Sequence, residues 1–117
     1  MEMTPLEIEQ KLLELPSKIW AHNKKVVQAH EELLLAEKEL EDEHANAYLK
    51  LKATDSKMTI ADLTAKADLE CDAQRLAIIV ARAKYESSKN DAECADKMLG
   101  ALQSVIKLRV SEMKGLN

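Results

Sequence analysis

At 117 residues, with two Gly and two Pro, the chain has room for one domain and little material for turns, so a few long elements must cover most of it. Hydrophobic residues make up 46% of the chain, but there is no Phe, one Trp and two Tyr, which excludes a β fold and favours narrow helix seams over a thick core. The net charge of -4 is uneven: residues 1–45 carry 11 acidic and 5 basic side chains and residues 46–117 carry 10 and 12, so an anionic ligand is not excluded in the second part.

In chain order, the first signal is Thr4-Pro5-Leu6-Glu7, which has the form of a capping box with proline at the first helical position. A short helix over about 5–15 is predicted, ended or kinked by Pro16, whose ring disfavours helical geometry at Leu15. From about 17 to 53 there is neither Gly nor Pro. Ile19, Trp20, Val26, Val27, Leu33, Leu34, Leu40, Ala47, Tyr48 and Leu51 recur there at helical spacing, predicting one long amphipathic helix. The polar stretch 54–59 predicts the reversal, with Thr59 opening the next helix.

A third helix is predicted from 60 to about 114, with Gly100 as its one potential breaker and Gly115 as its cap. Alternate steps of four and three from Ile60 pass through Thr64, Ala67, Cys71, Gln74 and Ile78, then Ala81, Tyr85, Ser88, Ala92 and Ala95, then Leu99, Leu102, Ile106, Arg109 and Met113. Twelve of these sixteen residues are apolar, against about seven or eight by chance, which is a heptad seam. The fold expected is an all-α, elongated, antiparallel long-helix hairpin of coiled-coil type with a short N-terminal helix, forming a single domain over 1–117. A second helix of about 37 residues against a third of about 55 leaves about 18 residues, or ~27 Å, unmatched. The first helix folding back can cover part of that end and other copies the remainder, so its apolar residues, Leu99, Leu102, Val105, Ile106 and Met113, with Arg109, are the expected homo-oligomer interface.

Catalytic chemistry finds no foothold. There is no phosphate-binding glycine loop, metalloprotease motif, Cys-x-x-Cys or serine elbow, so no enzyme, cofactor or metal site is expected. His30 and His44 are two heptads apart, ~21 Å along a helix, and share no ligand; His22 stands apart from both. Cys71 and Cys94, 23 residues apart, read as small core residues rather than a disulfide or metal pair. No apolar run of about 18 residues and no signal-peptide pattern is present, so a soluble, cytoplasmic protein with no membrane partner is expected. The acidic run Glu37 to Glu43 reads as a solvated helix face. Lys50, Lys52 and Lys57 cluster near the predicted turn with Tyr48, and Lys107, Arg109 and Lys114 near the end; repeated around a ring, such clusters form a positive track.

Three stretches carry a family resemblance: Lys-Ile-Trp-x-x-x-Lys-Lys from Lys18 to Lys25, Ala47-Tyr48-Leu49-Lys50-Leu51-Lys52 before the turn, and the ending from Leu102 through Ile106-Lys107 and Arg109 to Met113-Lys114-Gly115. Over roughly Lys18 to Gly115 the chain resembles the UvsY-type recombination mediators of bacteriophages, which are small helical proteins that form rings, bind single-stranded DNA and help load a recombinase where a single-strand-binding protein already sits. The resemblance implies a phage or prophage protein acting in a bacterial host cell. It implies single-stranded DNA, a recombinase and a single-strand-binding protein as partners, Lys50 and Lys52 as DNA contacts, and assembly through the C-terminal helix. Two other classes fit the same residues: a scaffolding coiled coil with no nucleic-acid role, and a small acidic inhibitor that docks on a host nuclease or defence protein through Glu37 to Glu43.

Overall fold

The computed structural model describes residues 4–115, so residues 1–3 and 116–117 of the predicted domain lie outside the described residues. Three helices account for nearly all of it: α1 over Pro5–Thr54, α2 over Ile60–Glu70 and α3 over Asp72–Gly115, with no strand among the described residues. The all-α class expected from composition is the one found. Among the described residues no helix is long and apolar enough to cross a membrane.

The capping box forms as predicted. The Thr4 N–H donates to Glu7 Oε2 at 3.2 Å and the Glu7 N–H donates to Thr4 Oγ1 at 3.2 Å, so two of the donors orphaned at a helix start are satisfied. The boundary predicted at Pro16 does not form: α1 runs through it for 50 residues. Pro16 removes one backbone donor, a penalty of about 3 kcal/mol in a helix interior. Buried and half-buried residues keep their spacing on both sides, at Ile8, Leu12, Leu15, Ile19, His22 and Val26, so packing along one unbroken face holds the segment helical.

Thr54 ends α1 by turning its hydroxyl back onto the carbonyls of Leu51 (3.0 Å) and Lys50 (3.2 Å). In the turn, Asp55 Oδ1 accepts from the Lys57 N–H at 3.1 Å, and Thr59 caps α2 by accepting from the Asp62 N–H at 3.2 Å. No described residue has positive φ, which explains how the chain reverses here without glycine.

Among the described residues the helices pack as two compact units, one up to residue 27 together with the chain from 87 onward, and one of residues 28–86. In the first, the early part of α1 lies antiparallel to the end of α3 around Ile8, Leu15, Ala92, Ala95 and Leu102. In the second, the later part of α1 packs on α2 and the start of α3 around Ala29, Leu33, Ala47, Leu63, Ala67 and Cys71. The predicted heptad positions are buried or half-buried from Ala67 to Tyr85 in the second unit and from Ser88 to Arg109 in the first. Ile60, Thr64 and Met113 depart from the pattern and are exposed, while Leu63 takes the buried place near the turn.

Two further expectations fail. The predicted continuous third helix is interrupted at Cys71, where φ is -101° and ψ 17° and the Cys71 N–H reaches back only three residues, to the Asp68 carbonyl at 3.2 Å. Buried residues there are spaced by two successive fours, Leu63, Ala67 and Cys71, before alternation resumes at Gln74. On α1 the same double four falls at Ala36, Leu40 and His44. Such a change of phase unwinds a heptad pairing locally, and the interruption sits at it. The predicted unmatched end of the third helix is also absent. Because α1 continues through Pro16, its residues Pro5, Ile8, Glu9 and Leu12 line a groove with Ile106, Arg109, Val110 and Met113, within the first unit.

Candidate nucleic-acid interface

The hairpin end of the second unit gathers the basic residues singled out in the sequence. Lys50 and Lys52 occupy the last turns of α1, and both are exposed. Two residues apart, they project about 200° from one another around the helix, on opposite flanks of buried Ala47 and half-buried Leu51. Lys52 shares its flank with half-buried Tyr48, four residues earlier. Lys57 is exposed in the turn, and it lines an open hollow with Asp55, Met58, Asp62, Ala65 and Lys66.

Lys66 is the residue that sequence reading missed. It lies nine positions beyond Lys57 in the chain, and the first turns of α2 return it to the same hollow. From Tyr48 to Lys66 there are four lysines and two aspartates. Asp55 spends one oxygen on a backbone N–H of the turn, and Asp62 sits in the first turn of α2, where the helix dipole favours its charge. Among the described residues, none of Lys50, Lys52, Lys57 and Lys66 forms an ion pair.

Two basic residues deeper in the second unit, Lys84 and Arg82, are engaged differently. Lys84 Nζ reaches Glu32 Oε2 at 2.8 Å and Arg82 Nη2 reaches Glu37 Oε1 at 3.9 Å, both across the helix pair. The start of the acidic run is thus used inside the chain, while Glu39, Glu41, Asp42 and Glu43 are exposed. Near the Cys71 interruption, Asp68 Oδ1 takes both His44 Nε2 at 2.9 Å and Arg75 Nη2 at 3.0 Å. His30 stacks against Tyr85, with ring centroids 5.1 Å apart, and half-buried His22 lines a cavity with Lys18, Asp91 and Cys94. No group of three or more metal-ligating side chains occurs among the described residues. Cys71 is 1% exposed, and its thiol is pushed above its ordinary value by burial first, then by the Glu43 carboxylate, with Arg75 opposing and Asp68 and Glu70 adding to the rise.

The residues expected to form an oligomer surface divide into two sets. Leu102 is 6% exposed, and Leu99, Ile106 and Arg109 are half-buried, so these four belong to the helix pair of the first unit. Val105 and Met113 are exposed, Met113 by 66%. An all-helical chain of paired heptad helices with a basic turn is the class that these features define. No protein-family model, characterised protein or solved structure matches the chain.

Proposed function

We propose that the protein is a non-enzymatic recombination mediator of the phage type, which self-assembles, binds single-stranded DNA at the hairpin turn and assists loading of a recombinase in the presence of a single-strand-binding protein. The observation that carries the reading is the basic hairpin end: Lys50, Lys52, Lys57 and Lys66 are all exposed and, among the described residues, free of ion pairs, with Lys57 and Lys66 lining one hollow and Tyr48 on the flank of Lys52. Lysines unspent on carboxylates are available to replace the counterions of a phosphate chain, and an aromatic face beside them offers stacking to an unpaired base. Three or four phosphate contacts per copy give weak binding alone. Assembly multiplies them along one strand, so self-association and DNA binding reinforce each other.

Titrating a labelled oligo(dT) with the protein at several salt concentrations tests this. Binding is to weaken with salt with a slope in log units of about -0.7 for each phosphate neutralised per copy, about -2 for three. Absence of binding at low salt overturns the reading. The scaffolding alternative draws on a separate observation, the many large apolar side chains left exposed, including Trp20, Leu76, Ile79 and Val80. It requires self-association with no salt-dependent DNA contact, so the same titration separates the two.

A further inference from the structure

Toward the hairpin turn the seam of the second unit passes through a polar level. On α1 the inward residues run Leu33, Ala36, Leu40 and His44, and on the returning chain they run Ala67, Cys71, Gln74 and Ile78. His44, Cys71 and Gln74 are therefore neighbouring seam positions, and none of them is aliphatic. Gln74 Oε1 is buried and accepts no hydrogen bond among the described residues, which opposes closure of the seam at that point. The contacts that cross here are the polar ones at Asp68, whose Oδ1 receives His44 Nε2 from α1 and Arg75 Nη2 from α3. All three side chains are partly exposed, so water competes for those contacts. The backbone is interrupted at the same level, where the Cys71 N–H reaches back three residues to Asp68 rather than four.

Beyond this level there is little core. From residue 47 to residue 70, all of them described, the buried side chains are Ala47, Leu63 and Ala67, and Leu63 alone is large. Leu49, Ile60 and Leu69 of the same stretch are exposed by 63%, 74% and 70%. The 11 residues of α2 are fewer than the roughly 12–15 that a helix needs to persist unsupported, so this small core is what keeps α2 folded. On the other side of the joint, α1 and α3 are unbroken and are tied across by Lys84 with Glu32 at 2.8 Å, by Arg82 with Glu37 at 3.9 Å and by the His30–Tyr85 ring contact. A small core beyond a polar level opens at a lower free energy than the helices to which it is attached.

The same stretch carries the basic residues. Lys57 and Lys66 line one hollow only while α2 is folded. A polyanion that neutralises both binds the closed arrangement better than the open one, and so shifts the population toward it.

We propose that residues 47–70 open and close as a unit about a polar joint at Cys71, and that a phosphate chain bound at the basic turn holds this tip closed. The joint itself is a property of the fold, whereas the hold by a phosphate chain rests on the DNA reading of the proposed function.

Hydrogen exchange of the full chain, together with the rate at which a disulfide reagent labels Cys71, tests both parts. Without DNA, amides of 47–70 are expected to exchange as one group, at least about tenfold faster than those of 29–37 and 76–85, and Cys71 is labelled through the same opening. Leu63→Ala is expected to raise both rates on the order of thirtyfold and to leave 76–85 within about threefold of the parent. Gln74→Leu removes the buried oxygen that lacks a donor and is expected to lower both rates about fivefold. Oligo(dT) at ten times its dissociation constant is expected to slow both about tenfold. Equal exchange of 47–70 and 76–85, or a Leu63→Ala variant that speeds all segments alike, overturns the separate tip. Oligo(dT) that binds in the salt titration yet leaves Cys71 labelling unchanged overturns the hold on the tip. Oligo(dT) that does not bind overturns the DNA reading and the hold together, while the joint stands or falls on the exchange measured without DNA.

Discussion

Replacing Leu102 by alanine tests whether the end of α3 is sheathed by α1 or held in reserve for other copies. Leu102 is 6% exposed, and the other large buried side chains of the first unit are Ile8 and Leu15. Its buried neighbours on α3, Ala92 and Ala95, add little area of their own. Leucine-to-alanine changes in a closed core cost about 2–5 kcal/mol, and a two-helix seam, open on both sides, relaxes into part of the cavity. The expected loss is about 2–3 kcal/mol, which for a chain of this size lowers the melting midpoint by about 10 °C. Leu108, 61% exposed on the same helix, is the control, and its alanine variant is expected to stay within about 0.5 kcal/mol of the parent. Urea melts followed by helical circular dichroism, repeated over a wide range of protein concentration, read both. If Leu102→Ala leaves the high-dilution melt unchanged and alters only the concentration dependence, Leu102 belongs to an intermolecular contact and the sheathed end is wrong.

Pro16→Ala restores a backbone donor inside an unbroken helix and is expected to stabilise the protein by about 1–3 kcal/mol, the upper figure being reduced by the greater freedom of the unfolded chain; a less stable variant contradicts the continuity of α1 through this position. The two thiols should separate kinetically. Exposed Cys94 is expected to react with a disulfide reagent at once, and buried Cys71 on the order of a hundredfold more slowly, at the rate of local opening; equal rates would mean that the helices are open at Cys71. Because burial raises the Cys71 thiol above its ordinary value near 9.0, the unfolded chain ionises first. The stability linked to this thiol is therefore full below pH ~9 and is lost as pH rises through the folded-state value. A Cys71→Ala variant should show a flatter fall of stability above pH 9 than the parent, and parallel curves would contradict the assignment.

The seam of α3 could be read from residue spacing because alternate fours and threes leave one choice of face from Cys71 to Arg109. On α1 the same reading was ambiguous. Ile19 and Trp20, Val26 and Val27, and Leu33 and Leu34 are adjacent pairs, and periodicity alone does not say which member of each turns inward. Burial selects Leu33 fully, and Ile19 and Val26 in part; their neighbours Trp20, Val27 and Leu34 stay exposed. A break at Pro16 follows from local geometry alone, and the packing of Ile8, Leu12 and Leu15 against α3 overrides it. The interruption at Cys71 was missed because no Gly or Pro marks it; its signal is the double step of four through Leu63, Ala67 and Cys71. At the basic turn, Lys50, Lys52 and Lys57 are legible from proximity in the chain, whereas Lys66 joins Lys57 only once α2 has folded back.

The claim that Lys50 and Lys52 carry the DNA contact, separately from assembly, is tested most directly by the double variant Lys50→Glu with Lys52→Glu, measured for oligo(dT) affinity at low salt and for mass by light scattering. Both side chains are exposed and, among the described residues, free of ion pairs, so helix packing is expected to be untouched. DNA binding is expected to be lost while the mass of the assembly is unchanged. Unchanged DNA affinity, or a fall in mass together with the loss of binding, would contradict it.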